Sequence, residues 1–293
     1  VTAAGLPDGT FRLLQGVGHE VGAALVTHPG VGAVGFTGSL AGGRALADLA
    51  AARPEPIPVF AEMGSHNPVW VTPAALAARG AAIADALAAS ATLGVGQFCT
   101  KPSVVFLPDD DAAQADAFIA RLAAAVADAP LAPMLDRRIH AAFDARRDAL
   151  ATTDGITDVT PTSGGPVRPG VLVTDAATWR REPLVREECF GPLIVVVRCP
   201  ADALVDTVAT VPGGLTASVW SEPGDDADRT LASALVEAAT RRVGRVLHDG
   251  VPTGVAVGWA QQHGGPYPAT TAPATTSVGM HAVDRFLRPV AYQ

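Results

Sequence analysis

Cys99 stands in a setting that suits a nucleophile. It lies in a glycine-rich stretch, residues 93–100 (LGVGQFCT), between an alanine-rich run and a β-branched run at 104–106. This pattern predicts a tight loop that holds the sulfur at the end of a helix or strand. A thiol becomes a strong nucleophile as its thiolate, which polar surroundings and nearby backbone N–H groups favour. Gly94 and Gly96 allow the close turns that such a loop needs.

A carboxylate upstream of this loop, Glu62, is the candidate general base. It ends the apolar run 58–61 (PVFA), and Gly64 follows it closely. The sequence therefore predicts a carboxylate at the tip of a strand. The two residues together suit covalent catalysis, in which Cys99 attacks and Glu62 activates water. We expect some mobility of Glu62, because it must reach water without quenching the thiolate.

These residues belong to a pattern that resembles the aldehyde dehydrogenase superfamily. Four blocks occur in the order and approximate spacing of that family: 36–39 (FTGS), 62–64 (EMG), 96–99 (GQFC) and 187–192 (EECFGP). Further stretches resemble its NADP-dependent branch that oxidises 2,5-dioxopentanoate (α-ketoglutaric semialdehyde): 53–60 (RPEPIPVF), 251–255 (VPTGV) and 263–271 (HGGPYPATT). The likeness extends over nearly the whole chain.

The resemblance implies an oxidoreductase that converts an aldehyde to a carboxylate. Attack by the Cys99 thiolate would give a thiohemiacetal, hydride would pass to the nicotinamide, and water activated by Glu62 would cleave the thioester. NADP is the implied cofactor, with NAD as the alternative. The implied substrate is a semialdehyde such as 2,5-dioxopentanoate. The same branch includes enzymes that act on long-chain aldehydes, so that alternative stays open.

The resemblance also implies a set of cofactor contacts. Glu188 is similar to the family's ligand of the nicotinamide ribose hydroxyls, and Phe190 is similar to the ring that bounds the nicotinamide. Gly38 and Ser39 stand where a strand opens into a helix, the geometry that points free N–H groups at a phosphate. Met63, from the second block, completes the expected cofactor-binding set.

Other chemistries find weaker support in the sequence. No histidine pair stands at i, i+4 spacing beside a carboxylate, as on a zinc-binding helix, so we expect no metal. A Walker loop and the G-x-S-x-G elbow of serine hydrolases are also missing. The rival enzyme class is a thiol hydrolase that pairs Cys99 with a histidine. It would need no nicotinamide and would leave the Glu188 block unexplained.

The composition bears on the binding partners and on the cellular compartment of the protein. Of the 293 residues, 48% are hydrophobic and 17% are charged, which predicts a large buried core rather than disorder. The net charge of −8 argues against a nucleic-acid backbone as partner. No uninterrupted apolar run suggests a membrane span. Because Cys99, Cys189 and Cys199 are few and scattered, we expect no disulfide framework and a reduced, cytoplasmic setting.

The order of elements predicts an α/β protein with an aldehyde dehydrogenase-like fold. Residues 1–62 form the C-terminal part of an NAD(P)-binding domain with a partial doubly wound sheet, residues 63–272 an α/β catalytic thiol domain, and residues 273–293 a C-terminal segment. The run 290–292 (VAY) matches in position a terminal strand with which the family pairs a neighbouring subunit. An exposed strand edge favours such pairing, which predicts a homodimer or homotetramer.

Individual elements follow from periodicity and turn residues. Strands are predicted at 11–15, 32–36, 58–60, 102–107, 171–174, 193–197 and 217–220, with a turn at 16–18. Helices are predicted at 20–27, 40–52, 73–93, 137–151 and 226–242, and from the acidic run 109–111 to residue 127. The stretch 250–271 is rich in glycine and proline and is predicted to be surface loop.

The sequence departs from the family in two ways. The opening strands, the lysine near the adenosine ribose and the asparagine of the oxyanion hole have no counterpart after Val1. Two hypotheses follow: the chain is the covered portion of a full aldehyde dehydrogenase, or a truncated product that only binds or oligomerises. Expressed alone, it should bind NADP weakly and oxidise no aldehyde, because losing one oxyanion donor costs about 10²–10³ in rate. Asp249 stands where related sequences tend to carry asparagine, which bears on the acceptance of an acidic substrate.

Overall fold

The computed structural model describes residues 2–16 and 18–293, and these form an α/β protein. The helices are α1 (Glu20–Thr27), α2 (Leu40–Ala51), α3 (Pro73–Thr92), α4 (Ala112–Ala127), α5 (Arg137–Ala151), α6 (Ala176–Arg181), α7 (Leu204–Val208) and α8 (Asp226–Ala239). The strands are β1 (Val34–Thr37), β2 (Val59–Glu62), β3 (Val69–Val71), β4 (Val104–Pro108), β5 (Thr157–Asp158), β6 (Gly170–Asp175), β7 (Leu193–Cys199), β8 (Gly214–Trp220) and β9 (Val243–His248).

The strands of the described residues form two sheets. β1 and β2 pair in parallel through the crossover helix α2, with Val34 opposite Val59 and Thr37 opposite Glu62. The larger sheet has the order β5-β6-β7-β4-β3-β8-β9 and is parallel except for the β5–β6 pair. The predicted α/β class is confirmed.

Both faces of the larger sheet are buried. On one face Phe106 stacks on Trp70 with 5.5 Å between the ring centroids, in a layer with α5 to α8. On the other face Val105 and Leu107 pack in the layer of α3 and α4. A parallel strand covered on both sides forms a continuous apolar run, which is why β4 is recognisable in the sequence.

The helix α3 is long and apolar. By length and composition alone, Pro73–Gly96 would be able to cross a membrane, with a mean hydropathy of 1.3, contrary to the expectation from the sequence. In the fold, Ile83 and Leu87 are fully buried in the layer that α3 shares with α4. A helix in the core of a protein meets the same length and composition criteria, so its packing accounts for its hydropathy.

One predicted strand is wrong. Residues 11–15 are irregular, and Phe11, Leu13 and Leu14 are well exposed. Within the described residues no neighbouring strand pairs with this run, and an apolar run without a partner for its N–H and C=O groups does not become a strand. The predicted turn at 16–18 includes Val17, which lies outside the described residues, as does Val1. Residues 290–292 are also irregular and exposed in the single chain.

Other elements were missed by the sequence reasoning. β3 has three residues and follows a loop that ends in proline, so its run is too short to stand out. β9 comes between two loops, and its residues are mostly half-buried because it forms the edge of the sheet. The short helices α6 and α7 and the short strand β5 were also not predicted. Most other predicted elements agree with the structure within a few residues at each end.

Candidate active site

The loop that carries Cys99 has an unusual backbone. α3 ends at Thr92, and Gly94, Val95 and Gly96 follow with φ angles of 57°, 60° and 66°. A β-branched residue rarely adopts this left-handed conformation, which is tolerated where packing enforces it. The side chain of Val95 is buried in the core and supplies that packing. The strained turn places Cys99 at the surface of the core, where its side chain is partly exposed.

Gly96 brings the cysteine loop against the loop that contains Gly191 and Pro192. A Cβ atom at Gly96 would overlap the backbone of Gly191 and Pro192. Only glycine allows the two backbones to lie this close. The positive φ angle of Gly96 is a second reason for glycine at this position. The blocks 96–99 and 187–192 are therefore in direct backbone contact, which the sequence alone did not establish.

Asn67 ties the same loop to the large sheet. Its side-chain amide donates hydrogen bonds to the carbonyl oxygens of Cys99 at 2.9 Å and Lys101 at 2.8 Å. Its carbonyl oxygen accepts from the hydroxyls of Ser65 at 2.8 Å and Thr216 at 3.0 Å. Asn67 is fully buried with a φ angle of 47°. One residue in the loop before β3 thus fixes the backbone of the nucleophile and of the segment directly after it.

Lys101 continues this anchoring on the other side. Its ammonium group is buried and donates to the carbonyl oxygens of Leu193 at 2.8 Å and Cys189 at 3.4 Å. Burial lowers the pKa of Lys101 to about 8, while the neighbouring Cys189 and Glu188 groups oppose part of this fall. The lysine joins the cysteine loop to the loop of Glu188.

Glu62 lies at the end of β2 and contacts His263 from a distant segment. The segment containing Ala269 and Thr271 runs along β2 through hydrogen bonds to Ala61 and Met63, which brings His263 to the strand end. The Nε2 atom of His263 lies 3.2 Å from Oε1 of Glu62.

The same imidazole nitrogen also faces the nucleophile. Nε2 of His263 lies 3.3 Å from Sγ of Cys99. The hydroxyl of Ser277 donates to the other carboxylate oxygen of Glu62. Glu62 is 4% exposed and His263 is 3% exposed, so their interaction is shielded from water. Cys99, His263 and Glu62 therefore form one cluster, with Ser277 behind the carboxylate.

The surroundings shift the pKa values of Glu62 and Cys99 in opposite directions. Burial alone would raise the pKa of Glu62, but hydrogen bonds from His263 and Ser277 outweigh it and lower the pKa below its usual value. Burial raises the pKa of the Cys99 thiol to about 12, and the negative charge of Glu62 adds to the rise. Backbone N–H groups of Cys99 and Thr100 act in the opposite direction. The resting site therefore holds a carboxylate beside a protonated thiol.

The carboxyl group of Glu188 lies over Gly64. A Cβ atom at Gly64 would meet this carboxyl group and displace it. Burial raises the pKa of Glu188 to about 7, while the charge of Lys101 and a hydrogen bond from the backbone of Ser65 oppose the rise. The neighbouring ring of Phe190 is 37% exposed. The blocks of Glu62 and Glu188 therefore meet through Gly64.

Gly38 and Ser39 lie where β1 opens into α2. The N–H of Gly38 donates to the carbonyl oxygen of Glu62 at 3.1 Å. Ser39 is the N-cap of α2, and its hydroxyl accepts from the N–H of Gly42 at 3.1 Å. Met63 is 3% exposed, and a Cβ atom at Gly43 would meet its sulfur. The strand-to-helix turn was predicted, whereas the burial of the methionine side chain under α2 was not.

Arg245 is one further charged group whose surroundings bear on Cys99. The guanidinium of Arg245 donates to the carbonyl oxygens of Pro252 at 2.7 Å and Gly254 at 3.2 Å. Burial lowers the pKa of Arg245, and a negative charge on Cys99 would oppose the fall. Asp249 is paired with Arg79 at 3.0 Å, so its negative charge is largely neutralised.

The structure brings Cys99 and Glu62 together as the sequence suggested. It adds His263, Asn67 and Ser277, which the sequence reasoning did not identify as functional. His263 opens the block 263–271 that carried part of the family resemblance, and this was the only signal available for it. No sequence motif marked Asn67, because its role depends on a loop geometry that appears only in the folded structure.

The chain has an α/β fold, and comparison with known proteins gives its family. The model of the aldehyde dehydrogenase family matches residues 1–261, and the chain belongs to this family. The chain is 45% identical to alpha-ketoglutaric semialdehyde dehydrogenase 2 of Azospirillum brasilense, over 100% of this chain and 56% of that protein. It is 40% identical to alpha-ketoglutaric semialdehyde dehydrogenase of Acinetobacter baylyi, over 99% of this chain and 55% of that protein.

A solved structure agrees with the fold. Proline utilization A of Bradyrhizobium japonicum superposes with a TM-score of 0.81 at 26% identity, covering 97% of this chain and 29% of that one. The chain spans about half the length of the curated relatives described above. The predicted family is confirmed.

Proposed function

We propose that the protein oxidises a semialdehyde such as 2,5-dioxopentanoate to the carboxylate, with NADP as the hydride acceptor. The observation that carries this proposal is the convergence of Cys99, His263 and Glu62 at the end of β2. Membership of the aldehyde dehydrogenase family and 45% identity to an alpha-ketoglutaric semialdehyde dehydrogenase support the reaction class and the substrate.

The first step is the activation of Cys99. The thiol proton passes to the imidazole–carboxylate pair beside it, and N–H groups of Cys99 and Thr100 stabilise the thiolate. The sulfur attacks the aldehyde carbon, a C–S bond forms, and the carbonyl oxygen takes the electron pair to give a thiohemiacetal. A bound nicotinamide cofactor would supply the hydride acceptor for that carbon. Glu62 then takes a proton from water, which attacks the thioester and releases the carboxylate and the thiol.

The residues expected at the cofactor suit a dinucleotide. Ser39 caps the Gly42 N–H, which leaves the N–H groups of Leu40 and Ala41 without an intrahelical partner at the positive end of α2. The carboxyl group of Glu188 lies over Gly64, where any side chain would block it. The helix end would hold a phosphate and Glu188 would accept hydrogen bonds from ribose hydroxyls.

Arg245 supports an acidic substrate. Its charge acts on the Cys99 region, whereas the charge of Asp249 is paired with Arg79. An arginine near the reacting thiol attracts the distal carboxylate of a semialdehyde. We also propose a homodimer or homotetramer in the cytoplasm. The exposed side chains of Phe286, Leu287 and Val290 near the C-terminus support association.

A thiol hydrolase is the second candidate, because a histidine contacts the cysteine. In a Ser-His-Asp triad the nucleophile and the acid bind opposite nitrogens of the imidazole. Here Cys99 and Glu62 both face Nε2 of His263, and Nδ1 is buried without a hydrogen-bond partner in the described part of the chain. This arrangement leaves Glu62 free to act as a separate base and favours the dehydrogenase.

Initial rates of the full-length enzyme test the proposal. The substrates are 2,5-dioxopentanoate, a neutral aldehyde of similar length and a long-chain aldehyde, each with NADP and with NAD. We expect the highest kcat/KM for the acidic semialdehyde with NADP. Arg245→Met should raise KM for that substrate alone, while Arg241→Met, an exposed control, should leave it unchanged. Hydrolysis of thioesters without aldehyde oxidation would overturn the proposal in favour of a hydrolase.

A further inference from the structure

Three metal-binding atoms converge in the candidate active site. Sγ of Cys99, Nε2 of His263 and a carboxylate oxygen of Glu62 all lie within 4.8 Å of one another. Sulfur, imidazole nitrogen and carboxylate oxygen are the three ligand types of protein zinc sites. No sequence pattern indicated this cluster, because Cys99 and Glu62 lie 164 and 201 residues from His263 along the chain.

The distances suit a tetrahedral ion. Zinc binds sulfur at about 2.3 Å and imidazole nitrogen or carboxylate oxygen at about 2.0–2.1 Å. At tetrahedral angles these bonds separate sulfur from nitrogen by about 3.5 Å and nitrogen from oxygen by about 3.4 Å. The structure has 3.3 Å and 3.2 Å for the same pairs. Small rotations of the side chains would therefore admit the ion.

The neighbours of the cluster leave the binding atoms available. Ser277 donates to Oε2 of Glu62, so Oε1 is the oxygen that faces His263 and the thiol. Cys99 is partly exposed, which gives an ion a route from solvent. Three protein ligands with an open fourth position are typical of zinc sites that also hold water.

We propose that Cys99, His263 and Glu62 bind one thiophilic divalent cation, Zn²⁺, and that the bound ion reversibly blocks the thiol. The sulfur–zinc bond replaces the S–H bond, and the proton leaves to solvent, so no oxidant or reductant is needed. A sulfur that donates its electron pair to the ion is a weaker nucleophile toward a carbonyl carbon, and the same ion occupies the oxygen of Glu62 that would activate water.

The surroundings of His263 predict that the ion binds weakly and reversibly. A metal-binding imidazole usually donates its other N–H to a carboxylate or carbonyl, and loss of such a partner costs about 10–100-fold in affinity. Nδ1 of His263 has no such partner among the described residues. The ion should therefore be removable by a chelator, and Mg²⁺ should not compete because it prefers oxygen ligands.

Cobalt substitution tests the site without any measurement of activity. Co²⁺ added to the purified protein should give a thiolate-to-metal charge-transfer band and the intense visible bands of a tetrahedral ion, and Zn²⁺ should abolish both. Cys99→Ala should remove the charge-transfer band, and His263→Ala should lower the affinity by more than tenfold. Cys199→Ala, which removes a buried thiol far from the cluster in the chain, should keep the bands.

Alkylation of the unmodified protein provides a second test that depends on no variant. Zn²⁺ should slow the reaction of Cys99 with iodoacetamide, measured by mass spectrometry of its peptide, and a chelator should restore the rate. Mg²⁺ should have no effect. Equal alkylation rates with and without Zn²⁺, or a charge-transfer band that survives in Cys99→Ala, would overturn the proposal. Neither result bears on whether the protein oxidises aldehydes, so the two proposals fail separately.

Discussion

The Nε2 atom of His263 lies 3.3 Å from Sγ of Cys99, although 164 residues separate them in the chain. The same nitrogen lies 3.2 Å from Oε1 of Glu62. One imidazole atom thus stands between the proposed nucleophile and the proposed base. The imidazole therefore contacts both groups, and this relationship leads to the first prediction.

Replacement of His263 should slow the formation of the thiohemiacetal. His263→Ala removes the group beside the thiol, and a positioned acid or base contributes about 10²–10⁴-fold to rate. We expect the burst of reduced cofactor to slow by at least tenfold in stopped-flow measurements. His281→Ala, in which an exposed histidine paired with Asp284 is lost, is the matched control. An unchanged burst in His263→Ala would exclude this role.

Glu62 should act after hydride transfer. Glu62→Gln keeps an oxygen for Ser277 but cannot accept a proton from water. The burst of reduced cofactor should remain, whereas the steady-state rate should fall by about 10²–10⁴. Acid-quenched samples should show an acyl adduct on the protein by mass spectrometry. If the burst and the steady state decline together, Glu62 has a different role; Glu237→Gln on the exposed face of α8 is the control.

Asn67 should determine the stability of the cysteine loop. Asn67→Ala leaves the carbonyl oxygens of Cys99 and Lys101 without their donors, at a cost of about 1–3 kcal/mol for each buried group. Asn67→Gly loses the same bonds but accepts the φ angle of 47° more readily. Urea denaturation should show both variants destabilised, with glycine less affected by about 1–2 kcal/mol. Equal stability of alanine and wild type would contradict this anchoring role.

Glu188 should make the stability depend on pH. Its pKa rises from 4.5 to about 7 on folding because of burial. The folded state therefore binds more protons between these values, and the stabilising contribution is complete below pH 4.5 and is lost as the pH rises through about 7.

The variant Glu188→Gln isolates this effect. The free energy of unfolding of Glu188→Gln, relative to wild type, should increase as the pH rises from 4.5 to 7. Glu237→Gln should show no such trend. The measurement is chemical denaturation at several pH values, and a difference that stays constant across this range would refute the assignment.

The sequence predicted much of the fold because the buried strands and the long helices have strong periodic patterns. β4 and β7 are nearly continuous apolar runs, and α5 begins at the capping residue Asp136, whose carboxylate accepts from the N–H of Arg138. Residues 11–15 misled the prediction because local β-propensity contains no information about a pairing partner. The edge strand β9 was missed because its half-buried residues do not form a clear pattern.

The candidate site was predictable only where its residues lie in recognisable blocks. Cys99 and Glu62 stand beside glycines at the ends of elements, so chemistry and spacing both identified them. His263 reaches Glu62 because the segment through Ala269 and Thr271 follows β2, a tertiary contact that no local pattern encodes. The same is true of Asn67, whose partners are backbone carbonyls of another loop.

The most direct test of the account is the rate of aldehyde oxidation by Cys99→Ala in the full-length enzyme. The account predicts that this variant, with folding verified by circular dichroism, produces no reduced NADP above background, while Cys199→Ala retains most of the wild-type rate. Turnover by Cys99→Ala at a rate comparable to wild type would contradict the central claim that Cys99 is the nucleophile.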